Sequence, residues 1–361
     1  MEASSSNRLF TKEWHGYLFL ILLTMPVFFF HLGRRDFWAP DEPRFAQMAR
    51  EMMERGDWIV PYLNNEPYGE KPPLTFWLMS LFCYLGAGGQ VTPFWARLLS
   101  GIAGFLGVLF VFWYVKRALA SQWLALLSAM ILASNFRYFW QSQYLMIDMS
   151  FAFLAFSAVF LLKEGIEKNR PSLSLASYIL LGFACLSKGP LAFVIAFLAF
   201  VPYYGYMYFK KKEFLFTFYN PKEEDFPSSS APLIKEKPFF TWRIHIIGFF
   251  LLFSIAFSWY AAILYQEGWD FFYFNIIVQN YKRFTGELGS HLRPWFYYFL
   301  HFPPDFMPWT LLLPGAFYII WKEKKKNPLI LWLIFWAASF WFFLNLSRAK
   351  FSKYLLPVYP C

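Results

Sequence analysis

Residues 72–86 read Pro72-Pro73-Leu74-Thr75-Phe76-Trp77-Leu78-Met79-Ser80-Leu81-Phe82-Cys83-Tyr84-Leu85-Gly86, and this stretch decides how the rest of the chain is read. It is apolar, yet shorter than the roughly 20 residues a membrane-spanning helix needs. Two prolines open it and Gly86-Ala87-Gly88-Gly89 closes it, so its helix has a defined start and stop. If it crossed a bilayer, the basic connectors Lys116-Arg117, Lys163–Arg170, Lys210–Arg243 and Lys322–Lys326 would all face outward. If it lies in the interface, all four face the cytoplasm, as the positive-inside bias requires. The sequence therefore predicts an interfacial helix here.

Working outward, the 361 residues are 58% hydrophobic and 24% aromatic, with 16% charged and a mean hydropathy of +0.36. A soluble domain carries about a quarter charged residues, so this composition excludes an ordinary globular enzyme. Long Phe/Leu/Ile/Trp runs without alternation, such as 248–262 and 329–346, exclude a barrel. The expected class is all-α, a polytopic membrane helical bundle. Spans are expected at 14–32, 93–115, 122–135, 149–162, 173–186, 190–209, 244–263, 304–320 and 328–346, with a final helix beginning near Tyr354. Trp14–Leu32 is too long for a signal h-region and no small-residue cleavage site follows, so it reads as a retained first helix, with Arg8 and Lys12 holding its start in the cytoplasm. The net charge is +10, and the basic residues that form runs, Lys210-Lys211-Lys212 and Lys322–Lys326, each directly follow an apolar run, which marks membrane anchors and not a nucleic-acid surface. Cys83, Cys185 and Cys361 lie in apolar surroundings without pairing or metal spacing and read as packing residues. The whole of 1–361 reads as one transmembrane unit, with outer loops 33–92 and 264–303 and a cytoplasmic loop 210–243; Asn220–Lys237 is its linker-like stretch. Because 355–361 stops inside what reads as another span, the chain is expected to be C-terminally truncated.

This topology gathers the charges that are not anchors on the outer face. Three polar clusters fall there: 39–45 (Ala-Pro-Asp-Glu-Pro-Arg-Phe), 68–73 (Tyr-Gly-Glu-Lys-Pro-Pro) and 347–354 (Ser-Arg-Ala-Lys-Phe-Ser-Lys-Tyr). Charge beside a bilayer is costly, so recurrence on one side points to a site, and the excess of cations points to an anionic substrate. Asp41 and Glu42 open an amphipathic pattern whose apolar face is Phe45, Met48, Ala49, Met52 and Met53, expected to lie on the membrane. Either acid is readable as a helix cap or as a catalytic carboxylate. Lys71 snorkels to headgroups or binds a phosphate, with Glu70 positioning it or holding a metal. Asp148 is a helix cap or a cavity acid. Lys188 stands on the side where positive-inside does not place a lysine. His291 is an interfacial histidine or a metal ligand.

Together the motifs Asp-Glu-x-Arg-Phe, Gly-Asp-Trp-Ile-Val-Pro (56–61) and Tyr-x-Glu-Lys-Pro-Pro resemble the bacterial lipid A aminoarabinose transferases. They also resemble the wider polyprenyl-phosphate-dependent transferases that include protein O-mannosyltransferases. The resemblance extends over nearly the whole chain, through Asp148, Lys188, Arg283-Phe284, His291 and 347–354. It implies the GT-C fold, with interfacial helices after the first span, in a bacterial inner membrane with the active site facing the periplasm. By the same resemblance Asp41, with Arg44 nearby, matches an essential first-loop aspartate, and Asp148 a second acidic residue. Tyr68, Lys71, Arg283 and Tyr354 match positions that bind the carrier phosphate. Glu70 and His291 match ligands of a divalent metal, zinc. Phe45 stands where some relatives have Tyr, so a hydroxyl is absent there.

The reaction implied moves a sugar from a polyprenyl phosphate to a lipid, glycan or protein acceptor by inverting displacement. Cations would stabilise the leaving phosphate and Asp41 would serve as base for a hydroxyl acceptor. The rival reading is a transporter or flippase of lipid-linked sugars. Such proteins place charges near mid-membrane, often with internal repeats, and no repeat is evident here.

Overall fold

A computed structural model describes residues 13–217, 238–323 and 327–361. The anchors Arg8 and Lys12, the linker 220–237 and Lys324–Lys326 lie outside the described residues.

Among the described residues the regular structure is helical, apart from one short hairpin and one isolated bridge. After α1 (Glu13–Phe29) come α2 (Asp41–Arg55), the hairpin strands β1 (Tyr62–Leu63) and β2 (Glu66–Pro67), and α3 (Leu74–Ala87). There follow α4 (Pro93–Leu119), α5 (Gln122–Ser134), α6 (Phe136–Ser142), α7 (Ile147–Glu167), α8 (Pro171–Lys188), α9 (Leu191–Thr217) and α10 (Pro238–Tyr273). A π-helical stretch (274–282) leads into α11 (Arg283–Thr285), and then come α12 (Tyr297–Asp305), α13 (Leu313–Glu323) and α14 (Pro328–Leu346). Among the described residues, six helical stretches are long and apolar enough to span a membrane: α4, α7, α8, Leu191–Lys210, Trp242–Thr285 and α14. This is a multi-pass membrane protein of the all-α type.

Helix α7 is the central post, buried along most of its length against α8, α4 and α9. Phe28, Phe112, Tyr138, Phe156, Trp332 and Trp336 fill the core around it, each fully buried. Close approach on α4 needs glycine: a Cβ at Gly107 would lie 2.0 Å from the Tyr138 hydroxyl.

The deciding stretch becomes α3, a helix between Pro73 and an αL cap at Gly88. Phe76, Met79 and Cys83 are fully buried while Leu81, Tyr84 and Leu85 are 47–72% exposed, so an apolar face remains for lipid. The amphipathic helix α2 differs from expectation. Phe45, Met48, Ala49 and Met52 turn inward onto Phe76, Met79 and Cys83 of α3, and Met53 is only partly buried. Its apolar face is covered by protein and not by the bilayer.

Other boundaries also shift. The expected segment 122–135 is helix α5, too short to count among those six stretches, and the separate helix α6 follows it, capped by the Asn135 side chain, which accepts from Tyr138 N. Much of the expected loop 264–303 is helical, as α10 runs on past a break at Gly268 (φ 79) through the π stretch. The expected span 304–320 is broken at Pro308 between α12, a 3-10 turn (309–312) and α13, since proline withholds a helix donor. The expected helix from Tyr354 is a 3-10 segment, 352–358. Cys83 and Cys185 are buried, as expected of packing residues, whereas Cys361 is exposed.

Candidate active site

Six elements deliver polar groups to one end of the bundle. The first is α2, whose N-cap is Pro40 and not an acid, so Asp41 and Glu42 are its first-turn residues, where acids favour the helix dipole. Adjacent in sequence, they face different ways. Glu42 is fully buried and accepts from Arg97 Nε (2.8 Å) and Nη2 (2.7 Å), and from the backbone N–H groups of Trp38 (2.7 Å) and Leu145 (2.8 Å). Arg97, also fully buried, uses its other donors on the carbonyls of Leu32, Arg35 and Asp36. Burial would raise the Glu42 pKa, but the Arg97 bonds and the two backbone donors outweigh it and hold the carboxylate ionised. A carboxylate so enclosed has no oxygen free for substrate. The catalytic expectation for Glu42 is corrected: it pins α2 to α4 and to the entry of α7.

Asp41 instead has its side chain 34% exposed, 3.0 Å from Arg44 and 3.8 Å from Lys353. Between α2 and α3 the hairpin turns on Asn64-Asn65 (φ 54 and 68), the left-handed pair such a turn requires. Glu51 of α2 accepts both turn N–H groups (2.7 and 3.0 Å). That anchor presents Tyr68, Glu70 and Lys71. The Tyr68 hydroxyl donates to Glu70 (3.2 Å), and Glu70 lies 3.5 Å from Arg283. Asn275 of the π stretch donates to Gly69 O (2.7 Å) and ties the two segments together.

Asp148, at the start of α7, pairs with Lys188, at the end of α8, and lies 3.6 Å from Lys353. Those helix ends suit those charges. Lys188 Nζ also sits over the Tyr354 ring at 4.4 Å, and Tyr354 lies against Arg283. The Arg44 guanidinium lies 5.9 Å from the Tyr68 ring. These contacts close into a ring: Asp41, Lys353, Asp148, Lys188, Tyr354, Arg283, Glu70, Tyr68, Arg44 and back to Asp41.

Lys71 stands apart from this pairing. Among the described residues it makes no ion pair and no hydrogen bond, although Arg283, Lys188, Glu70 and Asp148 surround it. Its residue is only half-buried by surface, yet desolvation of the ammonium, then Arg283 and Lys188, push its pKa down to about 7. The Nε groups of Arg44 and Arg283 are likewise buried without partners. Five cations (Arg44, Lys71, Lys188, Arg283, Lys353) thus meet three carboxylates (Asp41, Glu70, Asp148). Orphaned cationic donors in a cavity of net positive charge suit an anion with several acceptor oxygens.

Every predicted site residue except Glu42 borders this cavity or its rim. His291 lies at the rim, exposed, with its ring 4.3 Å from Phe351. Its pKa is lowered by desolvation and then by Arg283, Lys353 and Arg293. A divalent metal on Glu70 and His291 finds a poor fit. Among the described residues no three His, Cys, Asp or Glu side chains converge, and Glu70 already receives Tyr68 and Arg283. Two donors fall short of the three protein ligands of a catalytic zinc. Sequence reading missed two residues. Lys353 bridges Asp41 and Asp148, and its place beside Tyr354 in the third cluster was the available signal. Arg97 holds Glu42, and an arginine inside the first turn of an apolar span could have marked it.

The described opposite end of the bundle carries ion pairs too, Arg117 and Lys168 on Glu164 and Lys163 on Glu167, but these cations are matched within the cluster.

Comparison with known proteins agrees with this architecture. Residues 15–272 match the family model of dolichyl-phosphate-mannose-protein mannosyltransferase. An undecaprenyl phosphate-alpha-4-amino-4-deoxy-L-arabinose arabinosyl transferase of Photorhabdus laumondii is 25% identical over 95% of this chain and 57% of its own length. The Pseudomonas aeruginosa protein of that name is 28% identical over 94% of this chain and 56% of its own. The crystal structure of ArnT from Cupriavidus metallidurans bound to undecaprenyl phosphate superposes with a TM-score of 0.78 at 21% identity, covering 97% of this chain and 59% of that one. The fold is therefore the GT-C bundle, and the chain spans little more than half the length of the relatives it matches.

Proposed function

The chain belongs to the dolichyl-phosphate-mannose-protein mannosyltransferase family, and we propose that it is a membrane glycosyltransferase using a polyprenyl-phosphate sugar. It would work from the periplasmic face of a bacterial inner membrane. The observation that carries this reading is the unpaired Lys71 beside the orphaned Nε groups of Arg283 and Arg44. The names of the relatives favour undecaprenyl phosphate as carrier and an aminopentose as sugar.

In the proposed reaction the carrier phosphate lies between Lys71 and Arg283 while its tail stays in lipid. The bond from sugar C1 to the phosphate oxygen breaks, and its electron pair leaves with the carrier phosphate. An acceptor oxygen bonds to C1 from the opposite face and inverts it. Negative charge grows on the leaving phosphate, so each cation aimed at it contributes about 2–4 kcal/mol, the scale of one oxyanion donor. Tyr354 and Tyr68 hold Arg283 and Glu70 in place. Lys188 and Lys353 both pair with Asp148 and set the positive balance of the site.

Asp41 is the most open of the cavity carboxylates beside Glu70, and Asp148 is nearly closed at 4%. An acceptor hydroxyl would pass its proton to Asp41. Asp41 pairs with Arg44 and Lys353; an acceptor that arrives ionised, a phosphate, would need no base, only positioning. No step here runs through a metal. Charges gathered at one end, not at mid-bundle, argue against a transporter.

Titration of the purified chain with a polyprenyl phosphate tests the reading. Wild type should bind it, and Lys71→Ala should weaken binding at least tenfold. Equal affinity in the variant would return Lys71 to a snorkelling role.

A further inference from the structure

Beyond the cavity rim, the loop after α11 pairs with the segment after α14. Leu292 and Ala349 form an antiparallel bridge, flanked by Arg293 N to Arg348 O (3.1 Å) and Lys350 N to His291 O (3.2 Å). In this register Arg293 stands directly opposite Arg348, so the two guanidinium stems leave the same face. Like charges directly opposite are destabilising, yet among the described residues neither arginine has an ion-pair partner. The carboxylate of the same loop, Glu287, accepts from Thr285 (2.8 Å), and the buried Lys350 ammonium is engaged by the carbonyls of Ser347 and Arg293. The backbone is built around this face. Gly286 (φ 83) lies under Arg348, where a Cβ would come within 2.8 Å of the arginine Cβ.

Position decides what such a pair meets. The next residues expose a wide apolar surface, with Trp295 70%, Phe299 55% and Leu300 62% exposed, the pattern of a segment seated at headgroup depth. On its other side His291 lies among Arg293, Arg283 and Lys353, so the pair adjoins the cavity without belonging to the ring around it.

We propose that Arg293 and Arg348 form a docking site for the phosphate headgroup of a membrane-embedded acceptor lipid, beside the carrier-phosphate cavity. Two guanidinium stems leaving one face supply forks that match a phosphomonoester, whose charge offsets theirs when it binds. This rests on the glycosyl-transfer reading only for the word acceptor; the docking itself does not require turnover.

The test places the chain in nanodiscs of phosphatidylcholine with phosphatidic acid and reads retained lipid by native mass spectrometry. Wild type should retain phosphatidic acid, R293Q/R348Q should lose at least tenfold of it, and R293K/R348K should keep most. Millimolar inorganic phosphate should not displace it, because the membrane supplies the occupant; displacement would make this a soluble-anion site and overturn the proposal. Equal retention by R293Q/R348Q would overturn it too. In a transfer assay with a phosphorylated lipid acceptor, R293Q/R348Q should raise the acceptor KM at least tenfold with kcat and donor KM within about twofold. Retention without transfer in wild type would defeat the enzymatic reading alone, whereas transfer with an unchanged acceptor KM would defeat the docking site alone.

Discussion

Lys71 is the residue on which pH acts most visibly. Its ammonium is held near a pKa of about 7, against an ordinary 10.5, by desolvation and by Arg283 and Lys188. A bound phosphate favours the charged form, so donor binding draws a proton onto Lys71 when the pH exceeds 7. The donor kcat/KM should be level below pH 7 and fall by up to about tenfold per unit above it. Lys71→Arg, which stays charged, should flatten that fall; a wild-type profile level to pH 9 would contradict the assignment. The unliganded fold shows the opposite trend. Because the folded pKa is depressed, the folded state binds fewer protons than the unfolded chain between about 7 and 10.5, and stability rises with pH across that window. Asp41 gives a second prediction. Pro40 is the N-cap and the Asp41 carboxylate pairs with Arg44 and Lys353, so Asp41→Asn should leave the melting temperature within a few degrees. Turnover with a hydroxyl acceptor should drop at least about 100-fold. Melting lowered with activity kept would favour a purely structural aspartate.

Helix α2 is fixed by a buried charge pair, and that pair was only half legible. The acids 41 and 42 were visible in sequence, but which one faced the cavity depended on a partner 55 residues away, Arg97. Linear spacing carries no information about such a contact. Breaking a buried pair leaves an uncompensated charge, so Arg97→Leu should destabilise the protein by about 3–5 kcal/mol, read as thermal unfolding in detergent. Glu42→Gln should lose stability but keep kcat within about tenfold at a temperature where it remains folded; a loss of a thousandfold would restore a catalytic Glu42. The amphipathic pattern of α2 was likewise visible, but periodicity states that a face is covered and not by what. Here α3 covers it. Where prolines or glycines interrupt a run, element ends were readable, as at Pro73 and Gly88. The run after 264 misled because it continues as a helix through a break at Gly268 and a π stretch, which no hydropathy window distinguishes from a loop.

At the scale of the molecule, three sequence-distant clusters meet at a single end, the arrangement expected if the short helix α3 does not cross the bilayer. Charge bias made that legible, because basic connectors report sidedness without any knowledge of packing. The topology has its own check: impermeant labels should reach cysteines placed at Glu66 and Gly88 from the same, periplasmic side, and labelling of Gly88 only from the cytoplasm would break the single-site argument. What composition could not reveal was the closed ring of contacts, since Lys353 joins Asp41 to Asp148 only in three dimensions. The central claim is that this ring cleaves a sugar from a carrier phosphate and does not merely pass the lipid-linked sugar across. The most direct measurement follows purified chain in proteoliposomes supplied with a labelled polyprenyl-phosphate sugar and a phosphorylated lipid acceptor. Free carrier phosphate should appear in step with glycosylated acceptor, with inverted anomeric configuration, and both should vanish in Arg283→Gln. Movement of intact sugar lipid between leaflets, with no carrier phosphate released, would contradict it.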